Sequence, residues 1–66
     1  MSRYTAAVEK DSHQLTVAWG MDHAVGWFFQ VFDAQQECIV DLDALFDGLT
    51  LAELRVLLEA FEVRQS

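Results

Sequence analysis

Six consecutive residues, Trp27-Phe28-Phe29-Gln30-Val31-Phe32, hold four of the chain's aromatic side chains (two Trp, one Tyr and five Phe in all). Gly26 precedes them and Asp33-Ala34-Gln35-Gln36 follows. Aromatic and β-branched side chains suit a pleated, half-buried surface, and a short run of them between turn-forming residues has the length of a strand. Successive side chains on a strand point to opposite faces. Trp27, Phe29 and Val31 therefore share one face, and Phe28, Gln30 and Phe32 the other. Both faces are apolar, so the strand is central in its sheet, with something packed on each side or one face covered by a partner.

The flanking segments supply the neighbours. Residues 3–9 alternate weakly, with Tyr4, Ala6 and Val8 on one face. Residues 13–19 alternate again, with Leu15, Val17 and Trp19 together. Lys10-Asp11-Ser12 has the composition of a turn, so the two segments read as a hairpin. Residues 37–42 make a fourth strand, with Cys38, Val40 and Leu42 on one face and Ile39 and Asp41 on the other. The connection 33–36 is short enough for an antiparallel hairpin. Residues 20–26 read as a loop or as one helical turn capped by Asp22. Residues 43–48 read as a loop or as one turn with Asp43 as cap and Gly48 as stop. Thr50-Leu51-Ala52-Glu53 matches a capping box. The stripe Leu51, Leu54, Leu57, Leu58 and Phe61 predicts a helix over residues 51–63, with Arg64 suited to its negative pole. The expectation is a single domain over residues 1–66 of the α+β class. It has two layers: an antiparallel sheet of three to four strands, in ββββα order, covered on one face by a C-terminal helix. Nothing obvious covers the other sheet face, and an apolar face left open marks a protein contact.

Composition sets further bounds. A chain of 66 residues buries only about 60% of its unfolded surface, so it is stable only if well packed. Its hydrophobic content of 53% argues against disorder. No stretch approaches the ~20 apolar residues of a membrane span, and Met1-Ser2-Arg3-Tyr4 lacks the apolar run of a signal peptide. The single Cys38 cannot form an internal disulfide, which fits a reducing, cytoplasmic setting. It reads as a buried small hydrophobe rather than a reactive thiol. Eleven acids against four bases give a net charge of −7. Such a field repels nucleic acid and anionic membrane and steers the chain toward basic surfaces, although net negative charge also serves solubility. A monomer is expected rather than a homodimer.

No catalytic kit is legible. His13, His23 and Cys38 match no zinc-site spacing, and Asp22-His23 has no nucleophile placed beside it. Asp41-Leu42-Asp43 with Asp47-Gly48 lacks the ligand run and the closing Glu of a calcium loop. Arg3, Lys10, Arg55 and Arg64 are scattered, so direct nucleic-acid binding is not expected. No metal, no cofactor and no enzymatic activity are expected. What remains is the acid pattern. Asp33 and Glu37 flank a turn, Asp41, Asp43 and Asp47 precede the helix, and Glu53, Glu59 and Glu62 lie on its polar side. Acids so placed can form stripes at the spacing of backbone phosphates, about 1.7 Å apart along the duplex axis, or they can serve as caps and a solvated face.

The stretch Val17-Ala18-Trp19-Gly20-Met21-Asp22-His23-Ala24-Val25-Gly26-Trp27-Phe28-Phe29-Gln30-Val31-Phe32-Asp33, followed by Leu45-Phe46-Asp47-Gly48-Leu49, resembles small acidic proteins carried on mobile elements of Proteobacteria. In size, charge and ββββα order the chain is similar to anti-CRISPR proteins, in particular to an inhibitor of the type I-C Cascade complex. The resemblance spans residues 16–61 and includes no catalytic motif. It implies a phage- or plasmid-encoded inhibitor that binds a Cas subunit of Cascade, the large subunit that reads the protospacer-adjacent motif. An acidic, DNA-mimicking surface would occupy that subunit's basic site and block target DNA binding. The residue chemistry nominates Asp33, Glu37, Asp41, Asp43 and Asp47 as the acidic face, with Glu53 and Glu59 as extensions. Trp27, Phe28 and Phe32 are the candidate apolar anchors, since interfaces centre on aromatics with charge at the rim. The alternative is an acidic interaction module or homodimer working through an exposed aromatic sheet face, without DNA mimicry.

Overall fold

The computed structural model describes residues 2–61 and 63. Its elements run β1 (Ser2–Lys10), β2 (His13–Asp22), β3 (Gly26–Phe32), β4 (Cys38–Asp43), α1 (Ala44–Asp47) and α2 (Leu51–Ala60). The four strands form one antiparallel meander in the order β1-β2-β3-β4. This is the α+β, ββββα architecture that the alternating patterns predict, and the aromatic run is an inner strand of it.

The register decides which side chains meet the helix. Phe29 stands between Trp19 on β2 and Leu42 on β4, and Val31 stands between Val17 and Val40. Phe29, Val17 and Val31 are completely buried, and Leu54 and Leu58 of α2 pack on them with Leu49 and Val63. Leu54 and Leu58 are one turn apart, so both enter the core from the same helix stripe. Leu57 and Phe61 flank it, and the Phe61 ring lies 5.5 Å from that of Phe29. Leu51, at the start of the stripe, stays 39% exposed.

The helix stops three residues before the predicted residue 63. Phe61 N–H bonds Leu57 O, and Val63 N–H bonds Leu58 O at 2.9 Å, a pattern that closes helix ends. Lys10, at the end of β1, donates from Nζ to Ala60 O at 3.0 Å and lies over the Phe61 ring at 5.7 Å. A cation thus meets the negative helix pole from 50 residues away in sequence. Arg64, expected in that role, and Glu62 lie outside the described residues.

The second sheet face is closed differently from the expectation. Arg3, Gly20 and Phe28 are aligned across β1, β2 and β3. The Arg3 guanidinium reaches over Gly20 and stands 5.7 Å from the Phe28 ring, a cation–π distance. Phe28 is only 8% exposed, and its neighbour Ala18 is fully buried. Gly20 is required here. Its φ is +154°, and a Cβ would stand 2.1 Å from the Ser2 carbonyl oxygen. Small residues on β2 and one folded-over arginine therefore replace a second layer. Phe28 is thus covered from within the chain, and the open aromatic face that the sequence suggested is not there.

Three local features also differ. Residues 20–26 form neither a long loop nor a helical turn. The β2 and β3 strands extend to Asp22 and Gly26, and Asp22 Oδ1 accepts from Ala24 N–H at 2.7 Å to tie the short turn between them. Residues 43–48 do form a capped helical turn. At the start of β4 a bulge makes Val31 face Val40 while Phe32 faces Cys38. The extra residue breaks the simple alternation, so Cys38 is exposed rather than buried, with Sγ 3.2 Å from Val40 O.

Phe29→Ala is expected to cost about 3–5 kcal/mol, as for other buried aromatics, in urea unfolding followed by tryptophan fluorescence. A near-neutral change would mean that Phe29 is not the centre of the core.

Candidate binding surface

The end of β4 builds a rigid platform. Asp43 Oδ1 accepts from Phe46 N–H at 2.6 Å, and Asp47 Oδ2 accepts from Asp43 N–H at 3.0 Å. Gly48 takes the left-handed conformation, φ 68°, that ends a helix without side-chain strain, and its N–H bonds Ala44 O at 3.1 Å. Leu49 N–H returns to Asp43 O, and Leu45 N–H reaches Val25 O in the β2–β3 turn, each at 3.1 Å. These bonds hold a four-residue helix that would not persist alone. It displays apolar side chains outward: Phe46 is 80% exposed and Leu45 63%. Neither is used in the core. A large aromatic held in solvent on a stiff turn is the form of an interface anchor.

Around this knob the charged side chains of β4 and α1 are all acids, since between Lys10 and Arg55 the chain contains no Lys or Arg. Arg3 of β1 reaches the same face and lines a cleft with Asp41 and Asp43. Asp41 and Asp43, two positions apart on β4, share the face that carries Gln30 and Phe28, and Gln30 Nε2 donates to Asp41 Oδ1 at 3.4 Å. Asp47 is tied to Asp43 through its backbone, as above. Glu53 closes the capping box with Thr50: its N–H donates to Thr50 Oγ1 at 3.2 Å, and the Thr50 hydroxyl donates to Glu53 Oε1 at 3.1 Å. Asp41, Asp43 and Asp47 are therefore brought together.

The other nominated acids are dispersed. Asp33 and Glu37 lie at the opposite end of β4, roughly 20 Å along the strand from Asp43 by strand rise. Asp33 Oδ1 accepts from Gln35 and Glu37 N–H, each at 2.9 Å, which fixes its own turn. Glu59 stands on the exposed side of α2, apart from the β4 acids. The apolar anchors nominated from sequence do not form one patch. Trp27 lies on the helix side, packed against the core. Phe28 is buried under Arg3, and Phe32 is half-buried at the bulge.

The sequence pattern missed Leu45, Phe46 and Val56. Val56 is off the helix stripe and 65% exposed. It lines a groove of about 380 Å³ between α2 and β4, whose floor is Leu42 and Leu49 and whose rim includes Glu53. The available signal was an aromatic, Phe46, between two aspartates in a segment too short to bury it.

His13 and His23 sit at opposite ends of β2. Among the described residues no group of three or more His, Cys, Asp or Glu side chains is placed to hold a metal ion, and no helix is long and apolar enough to cross a membrane. Compared with protein-family models, curated proteins and solved structures, the chain matches none.

If Asp43 holds α1 through its cap, Asp43→Ala lowers unfolding free energy by about 1 kcal/mol, the usual value of an N-cap. Asp43→Asn keeps the acceptor and stays within a few tenths of wild type. Thermal unfolding of the two variants separates them, and equal losses would mean that charge rather than capping holds the turn.

Proposed function

We propose that the protein is a binding inhibitor that occupies a basic, DNA-binding protein surface. One observation carries this reading: the exposed Phe46, fixed on α1 and flanked by Asp41, Asp43 and Asp47 in a stretch without Lys or Arg. The aromatic supplies desolvated contact area, and the acids supply attraction to cations that otherwise hold phosphates. In its specific form, which follows the resemblance to anti-CRISPR proteins, the partner is the Cas subunit of type I-C Cascade that reads the protospacer-adjacent motif. Bound there, the acidic surface excludes target DNA from the cytoplasmic complex. The reading requires no cofactor and no turnover. An interaction module working through an aromatic sheet face has less support, because Arg3 covers Phe28.

The experiment is capture of type I-C Cascade by the tagged protein at low and high salt. Capture of the large subunit is expected, weakening steeply as salt rises. Changing Asp41, Asp43 and Asp47 together to Asn preserves the hydrogen-bond acceptors and should weaken binding by at least about tenfold, while Phe46→Ala should weaken it by about 30-fold, as for an interface hot spot. Undiminished binding by both variants would overturn the assignment of this surface.

A further inference from the structure

The two edges of the sheet are treated differently. At β4 the edge is six residues long, bulged and studded with acids, and the backbone N–H and C=O of Asp43 are occupied by Asp47 and Leu49. These are the devices by which a sheet blunts an edge against pairing. At β1 the edge is nine residues long, with no proline and no bulge in its register with β2. Its two cations are both drawn off the edge, Arg3 over Phe28 and Lys10 to the end of α2.

The turn fixes which backbone groups of β1 remain unpaired. Asp11 and Ser12 both have positive φ, 51° and 66°, and they join Lys10 to its partner His13 in a two-residue hairpin of the I′ kind. The residues flanking such a turn exchange backbone hydrogen bonds, and the pattern then alternates along the strand. Val8, Ala6 and Tyr4 therefore bond inward to β2, and Glu9, Ala7, Thr5 and Arg3 direct their N–H and C=O outward.

We propose that β1 pairs with β1 of a second copy of this chain, antiparallel and over its full length. Laid on itself, the strand sets Arg3 opposite Glu9, Tyr4 opposite Val8 and Thr5 opposite Ala7, with Ala6 on the two-fold axis. Outward groups meet outward groups in this register. A shift by one residue loses that match, and a shift by two shortens the paired stretch. By symmetry each pair occurs twice. Tyr4, 56% exposed and stacked on Trp19 at 5.9 Å between centroids, gains the partner's Val8 as a neighbour on the helix side. The net charge of −7 per copy does not prevent this. The acids of β4 lie three strand spacings from the shared edge, roughly 14 Å, beyond the ~8 Å screening length at physiological salt. The dimer is a continuous eight-stranded sheet with one acidic β4 edge at each end. It stands apart from the proposed inhibitor function, because no partner protein takes part in it.

Sedimentation velocity from low micromolar to near-millimolar protein tests it, and a concentration-dependent dimer is expected. Ala7→Pro removes an outward N–H and leaves the bonds to β2 intact, as edge strands allow. It should remain folded by circular dichroism and sediment as a monomer. Thr5→Pro removes another outward N–H of the same edge and should likewise stay folded and sediment as a monomer. Wild-type protein that stays monomeric, or a dimer that survives Ala7→Pro or Thr5→Pro, would overturn the proposal.

Discussion

The burial of Phe29 and Val31 under Leu54 and Leu58 is the contact on which the rest of the molecule depends. One helix of ten residues covers one face of a four-stranded sheet, and α1, four residues long, buries none of its side chains. Everything else follows from making that cover sufficient. Lys10 ties the far end of α2 to the first hairpin, and the Thr50–Glu53 box fixes the near end. Val63 folds back into the core and extends the cover past the end of the helix.

The same shortage explains the other face. With no layer to place over Phe28, the chain reduces what needs covering. Ala18 and Gly20 present almost no side chain, and the Arg3 stem and guanidinium lie across the ring. The arginine joins a chain of long polar contacts to Gln30 and Asp41, so this face is polar at its surface although its central strand is aromatic. Large apolar groups are displayed instead on α1, along the outer side of α2, and at Tyr4 and Ile39. At α1 the platform made by Asp43, Asp47 and Gly48 holds Phe46 in water among acids.

Much of the fold was legible because local chemistry and tertiary structure agree. The capping box, the αL glycine at Gly48 and the alternation of β2 and β3 each specify a conformation from a few adjacent residues. Structure and local pattern part where a distant group decides. Phe28 reads as exposed because its cover is one side chain from β1, reached across a glycine. Cys38 reads as buried because a bulge shifts it, and no residue type announces that bulge. The helix pole is met by Lys10 rather than by a neighbour in sequence. At the site, the acids near α1 were visible as a cluster, and their grouping by strand and cap geometry follows from it. The exposure of Phe46 was not visible, since periodicity alone assigns an aromatic to the nearest core.

The proposed contact surface for a basic partner is α1 with the acids beside it. Hydrogen–deuterium exchange of the protein alone and mixed with the type I-C large subunit tests that proposal. Protection on binding should concentrate in peptides covering residues 41–53, with the β2–β3 turn little changed beyond its contact with α1. Protection confined to the Arg3–Gln30 face, with residues 41–53 exchanging as in the unbound protein, would contradict it.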